Sequence, residues 1–210
     1  MTLRNRVTPF GDLIADPARG LVYGNRGCLH DAAGRVRRHH ATRRWIACRL
    51  EFRGWHRGPM MQPGRFTELF FLDDATALAA GHRPCALCRR ADYNALAEVW
   101  GDMHGKRGTA DVMDAQLQHE RLDGARRRLH AVGGSGLPDG ACIVRDGAAW
   151  VVAGGRTRRW TPAGYRETAP IDDTPQQLLT PPSLLELLRS GWRSQLPLLH
   201  PSAGVAPYAP

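Results

Sequence analysis

The chain has 210 residues, 42% of them hydrophobic, enough for one large domain or two small ones around a real core. No run approaches the roughly 18 consecutive apolar residues of a membrane helix, and segment 1–13 has early arginines with no apolar run behind them. Neither a signal peptide nor a membrane partner is expected, and a cytoplasmic protein is the default. The net charge of +9 points to a polyanionic partner, nucleic acid being the commonest. Lys106 is the only lysine, a bias that base composition can produce, but such bias does not explain the excess of basic over acidic residues.

Residues up to about 70 read as irregular, with turn signals at Pro9-Phe10-Gly11, Gly24-Asn25 and Pro63-Gly64. Two strand-like runs interrupt them, Trp45 to Phe52 and Leu69 to Leu72. Asp73 or Asp74 then caps a short helix from Ala75 to Ala80, which Gly81 stops. A longer helix runs through Ala91 to Trp100, and another is expected between Asp111 and Leu129, bent at Gly124. Gly133-Gly134-Ser135-Gly136 reads as a flexible joint. After it, 141–144, 149–152 and 157–160 read as short strands, with Asp146-Gly147 and Gly154-Gly155 as hairpin turns. Pro181-Pro182 opens a helix from about Ser183 to Arg189, and 201–210 is a loose tail. The expected class is α+β. A small zinc-stabilised N-terminal module with a helical extension (1–132) precedes a small C-terminal antiparallel sheet and helix (137–200).

Five cysteines in a chain without a secretion signal argue against a disulfide framework. Cys85-Ala86-Leu87-Cys88 has the spacing at which two thiolates face one ion. Pro84 fixes the approach, and Arg83, Arg89 and Arg90 offset the thiolate charge. A closed tetrahedral zinc site needs two more ligands. Cys48, ending a strand, is the third, and His56, beyond a bend at Gly54, is the fourth, with Cys28 and His30 competing for that place. His82 is expected to point elsewhere, and Cys142 to lie in the core.

The run Phe70 to Arg89 resembles the second half of the Ada-type metal-binding domain: an aromatic strand, a small Ala-rich helix, then a Gly-His-Arg-Pro-Cys turn and a second Cys before basic residues. The resemblance covers about twenty residues. It implies a four-ligand zinc site in a DNA-repair or DNA-binding protein. The family's first two ligands form a C-x3-C pair that this chain lacks, so methyl transfer to a zinc-bound Cys is not established, Cys48 being its sole candidate. The whole chain also resembles a bacterial family carrying Gly24-Asn25-Arg26-Gly27 and Ala80-Gly81-His82-Arg83-Pro84-Cys85, from which no activity follows.

Arg35, Arg37, Arg38, Arg43, Arg44, Arg49, Arg53, Arg57 and Arg65 span a segment in which Glu51 is the only acidic residue. Guanidinium groups bind phosphates as bidentate forks, and Trp45 and Trp55 can stack on exposed bases. The expected nucleic-acid contacts are Arg37, Arg38, Arg43, Arg44, Arg53 and Arg57, with DNA as the expected partner. The alternative is a DNA-acting hydrolase with structural zinc and a histidine general base, drawn from His30-Asp31, His39-His40 or His119-Glu120 with Asp111 and Asp114 upstream. None of these has the spacing of a nuclease motif. Walker, Rossmann and G-x-S-x-G patterns do not occur.

Overall fold

The computed structural model describes residues 2–55 and 58–205; His56, Arg57, residue 1 and 206–210 lie outside the described residues. The N-terminal part read as irregular in fact builds a sheet. β1 (Arg4–Val7), β2 (Leu13–Ala15), β3 (Val22–Asn25), β4 (Ile46–Cys48) and β5 (Leu69–Phe71) join β6 (Arg83–Pro84) in the order β2-β1-β5-β3-β4-β6. The sheet is mixed: β1–β5 and β4–β6 are parallel pairs, the others antiparallel. Its strands span two to four residues, too short for a period-two pattern to register. The run from Trp45 to Phe52 yields only the three residues of β4, because the chain turns away at Arg53 and Gly54, both at positive φ (51° and 66°). Gly24 is required by close approach, since a side chain there would collide with the Ile46 carbonyl.

Helix α1 (Asp74–Ala79) follows β5. Its cap is Asp73, whose Oδ1 accepts from the Thr76 amide at 2.9 Å and the Thr76 hydroxyl at 2.7 Å. Gly81, at φ +86°, carries the chain out of the helix. All six residues of α1 are buried, and small side chains let it touch every neighbouring core. Leu78 enters the largest one, Ala77 and Ala80 that of the first sheet, and Ala75 and Ala79 two smaller ones.

Helix α2 (Arg90–His104) and α3 (Ala110–Arg121) come next. The expected continuation of α3 to residue 129 is not found. Instead β7 (Leu122–Asp123) and β8 (Arg126–Arg127) form a hairpin whose two-residue turn is Gly124-Ala125, with Gly124 at φ +59°. The second sheet is antiparallel, in the order β13-β12-β11-β10-β14-β9. It comprises β9 (His130–Val132), β10 (Cys142–Arg145), β11 (Ala148–Ala153), β12 (Arg156–Thr161), β13 (Gly164–Pro170) and β14 (Gln176–Leu178). Asp146-Gly147 and Gly154-Gly155 are the expected hairpin turns, with positive φ at all four residues, as type I′ turns demand. Within 133–136, Gly134 is required by close approach, since a side chain there would collide with the Asp172 carbonyl. Helix α4 (Pro182–Arg189) packs its leucines on this sheet and on α2 and α3, burying Leu96, Trp100, Met113, Leu117, Ile143 and Trp150. The tail expected to be loose begins with a 3-10 helix, Pro201–Ala203, whose Ala203 is buried. Among the described residues, no helix is long and apolar enough to cross a membrane.

Buried charges stitch these elements together. Arg89 bonds both oxygens of Asp74 at 2.7 Å and Asp92 Oδ2 at 2.7 Å, all three residues being fully buried or nearly so. Ser194 also donates to Asp74, and the Trp192 indole to Asp92, so the segment after α4 is held on the same carboxylates. Breaking one partner of such a pair leaves an uncompensated buried charge. We expect Asp74→Ala to lose about 3–5 kcal/mol of unfolding free energy in urea. A loss below about 1 kcal/mol, the range of exposed pairs, would contradict the assignment.

Candidate metal centre

Cys48 ends β4 and Cys85 directly follows β6. These strands are parallel, with Ile46 beside Arg83 and Ala47 beside Pro84. One step further along that register Cys48 meets Cys85, whose amide donates to the Ala47 carbonyl at 2.9 Å. The turn over 85–88 then folds back. The Arg89 amide donates to the Cys85 carbonyl at 3.0 Å, and the Leu87 amide to Cys85 Sγ at 3.4 Å. The sulfurs of Cys48, Cys85 and Cys88 therefore lie within 4.8 Å of one another. Thiolates at about 2.3 Å from a tetrahedral ion sit about 3.8 Å apart, so the group is close enough to bind a metal ion.

The surroundings are built to hold this turn still. Arg83, just before it, bonds Asp114 through Nε at 2.8 Å and Nη2 at 2.7 Å, and Arg89, just after it, is held by Asp74 and Asp92. The expectation that Arg83 and Arg89 offset thiolate charge is thus corrected. Their charge is spent on carboxylates, and their effect on the turn is positional. Cys48 and Cys85 are buried and Cys88 half-buried. Three crowded thiols share protons unequally. The hydrogen bond to Cys85 pushes the Cys48 thiol up, while hydrogen bonds from Cys48 and Cys88 pull Cys85 far down. A cluster that already favours one thiolate accepts a cation readily. Beside Cys88 a cleft of about 640 Å³ is walled by Arg49, Phe52, Arg53, Leu87 and Arg90.

His56 and Arg57 lie outside the described residues. Cys28 and His30 do not join the sulfur cluster. Cys28 Sγ donates to the His30 carbonyl at 3.6 Å, and His30 uses both ring nitrogens, with Thr67 Oγ1 at 2.6 Å and the Gln62 carbonyl at 3.1 Å. Cys142 is buried in the core as expected. Arg37, Arg38, Arg43, Arg44 and Arg53 are exposed. Arg37 pairs with Asp31 at 2.8 Å and Arg44 with Asp111 at 3.1 Å, surface pairs that a stronger anion can displace. Trp55 is 58% exposed, whereas Trp45 is fully buried and cannot stack on a base. The carboxylates expected to assist His119 are engaged elsewhere. Asp114 holds Arg83, and Glu120 accepts from the Ser183 amide at 3.0 Å and hydroxyl at 2.6 Å.

Sequence reading missed what surrounds Trp45. Its ring carries the Arg26 guanidinium at 4.5 Å and that of Arg121 at 4.1 Å, both residues fully buried. His39, His40 and His82 lie around the same ring, at centroid distances of 5.3, 5.5 and 5.1 Å. His82 is wedged between Trp45 and Phe71, away from the thiols, as expected. Only the cluster of His39-His40 with arginines hinted at this centre, and nothing local announced Arg121.

Burial, then the neighbouring arginines, lowers all three histidines, His39 to about 4 from the usual 6.5. The folded chain therefore refuses protons that the unfolded chain accepts. Stability should be full above about pH 6.5 and decline as pH falls toward the folded-state values. Melting temperatures at pH 7 and pH 5 check this: a drop is expected, smaller in His39→Asn/His40→Gln, and equal values would contradict it.

Comparison of the chain with protein-family models, with curated proteins and with solved structures gives no match, so the Ada-type resemblance rests on the run from Phe70 to Arg89 alone.

Proposed function

We propose that this is a zinc-stabilised nucleic-acid-binding protein. The observation that carries the reading is the placement of β4. It ends in the thiol cluster, with exposed Arg37, Arg38, Arg43 and Arg44 ahead of it and exposed Arg53 and Trp55 behind it. A soft, all-thiol donor set favours zinc among common divalent ions, and tetrahedral zinc takes one further ligand. His56, eight residues beyond Cys48, is our choice for that ligand. The metal's task is structural: it ties the end of β4 to the turn that opens α2, fixing the roots of both arginine-bearing segments. Arg53 lies over the Phe52 ring at 5.0 Å, a pairing that suits phosphate and base contact together. The Ada-type resemblance favours DNA over RNA. The hydrolase alternative is less well supported: His30 has both ring nitrogens engaged, His39 bonds Arg26 and the Gly11 carbonyl, and Asp114 and Glu120 are engaged away from His119.

Two outcomes are expected. With about five arginines on phosphate, the log–log slope of DNA affinity against salt should be about −4. Arg37, Arg38, Arg43 and Arg44 changed together to Ala should flatten it to about −1. A protein that retains no salt-dependent affinity for any nucleic acid would refute the reading. Separately, a strong chelator should lower the melting temperature and added zinc restore it. Cys85→Ala should melt low and ignore both, and a chelator-insensitive wild type would remove the structural metal.

A further inference from the structure

The centre around Trp45 serves neither the thiol cluster nor the exposed arginines, and its charge balance is unusual. Arg26, Arg121 and Arg127 form no ion pair among the described residues. Their bonds go to neutral acceptors. Arg26 Nη2 donates to the Gly11 carbonyl at 2.7 Å. Arg121 Nη1 donates to the Gly81 carbonyl at 3.0 Å and Nη2 to the Arg43 carbonyl at 2.6 Å. Arg127 Nη2 donates to the Ala79 and Leu179 carbonyls. Guanidinium groups withdrawn from water normally sit against an anion, because carbonyl dipoles recover only part of the lost hydration.

Several buried polar atoms here also lack a partner: Arg26 Nε, Arg127 Nε, His40 Nδ1 and both ring nitrogens of fully buried His82. Three histidines around one ring suggest a cation site at first sight. Their nitrogens do not gather within common reach, however, and two guanidiniums stack on the ring they surround. A metal dication would be repelled, whereas an anion would find cations and spare donors together. The centre is reached from the surface past the exposed edge of His39, whose ring nitrogen is turned in to Arg26 and the Gly11 carbonyl, and past half-buried His40.

We propose that this centre is an oxyanion site that takes a phosphate group. A phosphate carries close to two charges at neutral pH and offers several acceptor oxygens. It matches the arginine excess better than a carboxylate does, and its oxygens can accept from the spare Arg26 and Arg127 Nε groups. The phosphate can be free or the terminal phosphate of a nucleic-acid strand. The proposal goes beyond the nucleic-acid reading and stands without it.

The test uses the full chain in phosphate-free buffer at fixed ionic strength, titrated with inorganic phosphate, pyrophosphate or sodium chloride. At ten times its dissociation constant, phosphate should raise the melting temperature by about 3–5 °C over matched chloride, with one phosphate bound per chain. Arg26→Lys and His40→Ala should each weaken binding at least about tenfold. His40→Ala serves if Arg26→Lys fails to melt cooperatively in chloride. A 5′-phosphorylated oligonucleotide that binds where its 5′-hydroxyl twin does not, with inorganic phosphate inert, assigns the ligand to a strand end and supports the same site. Identical melting in every anion, with no preference for the 5′-phosphate, overturns the proposal. Undiminished binding in both variants also overturns it, by placing the ion on the exposed arginines. Changing Arg37, Arg38, Arg43 and Arg44 should leave phosphate binding intact, so this site and the DNA reading fail separately.

Discussion

Three sulfur atoms held within 4.8 Å of one another are the constraint on which the functional half of this structure turns. The closeness is inherited from strand register. The parallel pairing of β4 with β6 sets Cys48 beside Cys85, and a short turn returns Cys88 to both. Without a cation the three share protons unequally: their mutual hydrogen bonds push Cys48 up and pull Cys85 down, while burial disfavours the thiolate of both. A divalent cation bound there would resolve that conflict by taking all three as thiolates.

Around the sulfurs the fold spends its buried charges on position. Arg83 before the turn and Arg89 after it are each locked to carboxylates from other elements: Asp114 of α3 for the first, Asp74 of α1 and Asp92 of α2 for the second. Helix α1 lies at the centre, alanine-rich and buried throughout, so that four cores meet on it. Asp73, at its head, also accepts from the Tyr165 hydroxyl at 2.6 Å and the His200 amide at 2.8 Å, binding the second sheet and the C-terminal segment to the same point. The cysteine turn is thus fixed to both sheets through a six-residue helix and a few ion pairs.

What the sequence reveals follows the range of the interactions. Asp73 as a cap, Gly81 as a stop, the Asp146-Gly147 and Gly154-Gly155 turns and the Cys85–Cys88 spacing are local, and each is readable from adjacent residues. The strands of the first sheet are not, because two to four residues carry no period and their pairing joins distant segments. The turn at Gly124-Ala125 is hidden by the helical pattern on its N-terminal side, because Gly124 is its one local signal. The charge of the chain misled most. Arginine reads as surface, yet Arg26, Arg89 and Arg121 are fully buried, and Trp45, which looked available to a base, is the ring on which two of them stack.

The central claim is that Cys48, Cys85 and Cys88 are thiolate ligands of one zinc ion. X-ray absorption at the zinc edge of the purified full chain tests it most directly. The account predicts one zinc per chain with three sulfur neighbours at about 2.3 Å and one nitrogen or oxygen neighbour at about 2.0–2.1 Å. Protein that carries no zinc, or zinc with fewer than three sulfur neighbours, would contradict it.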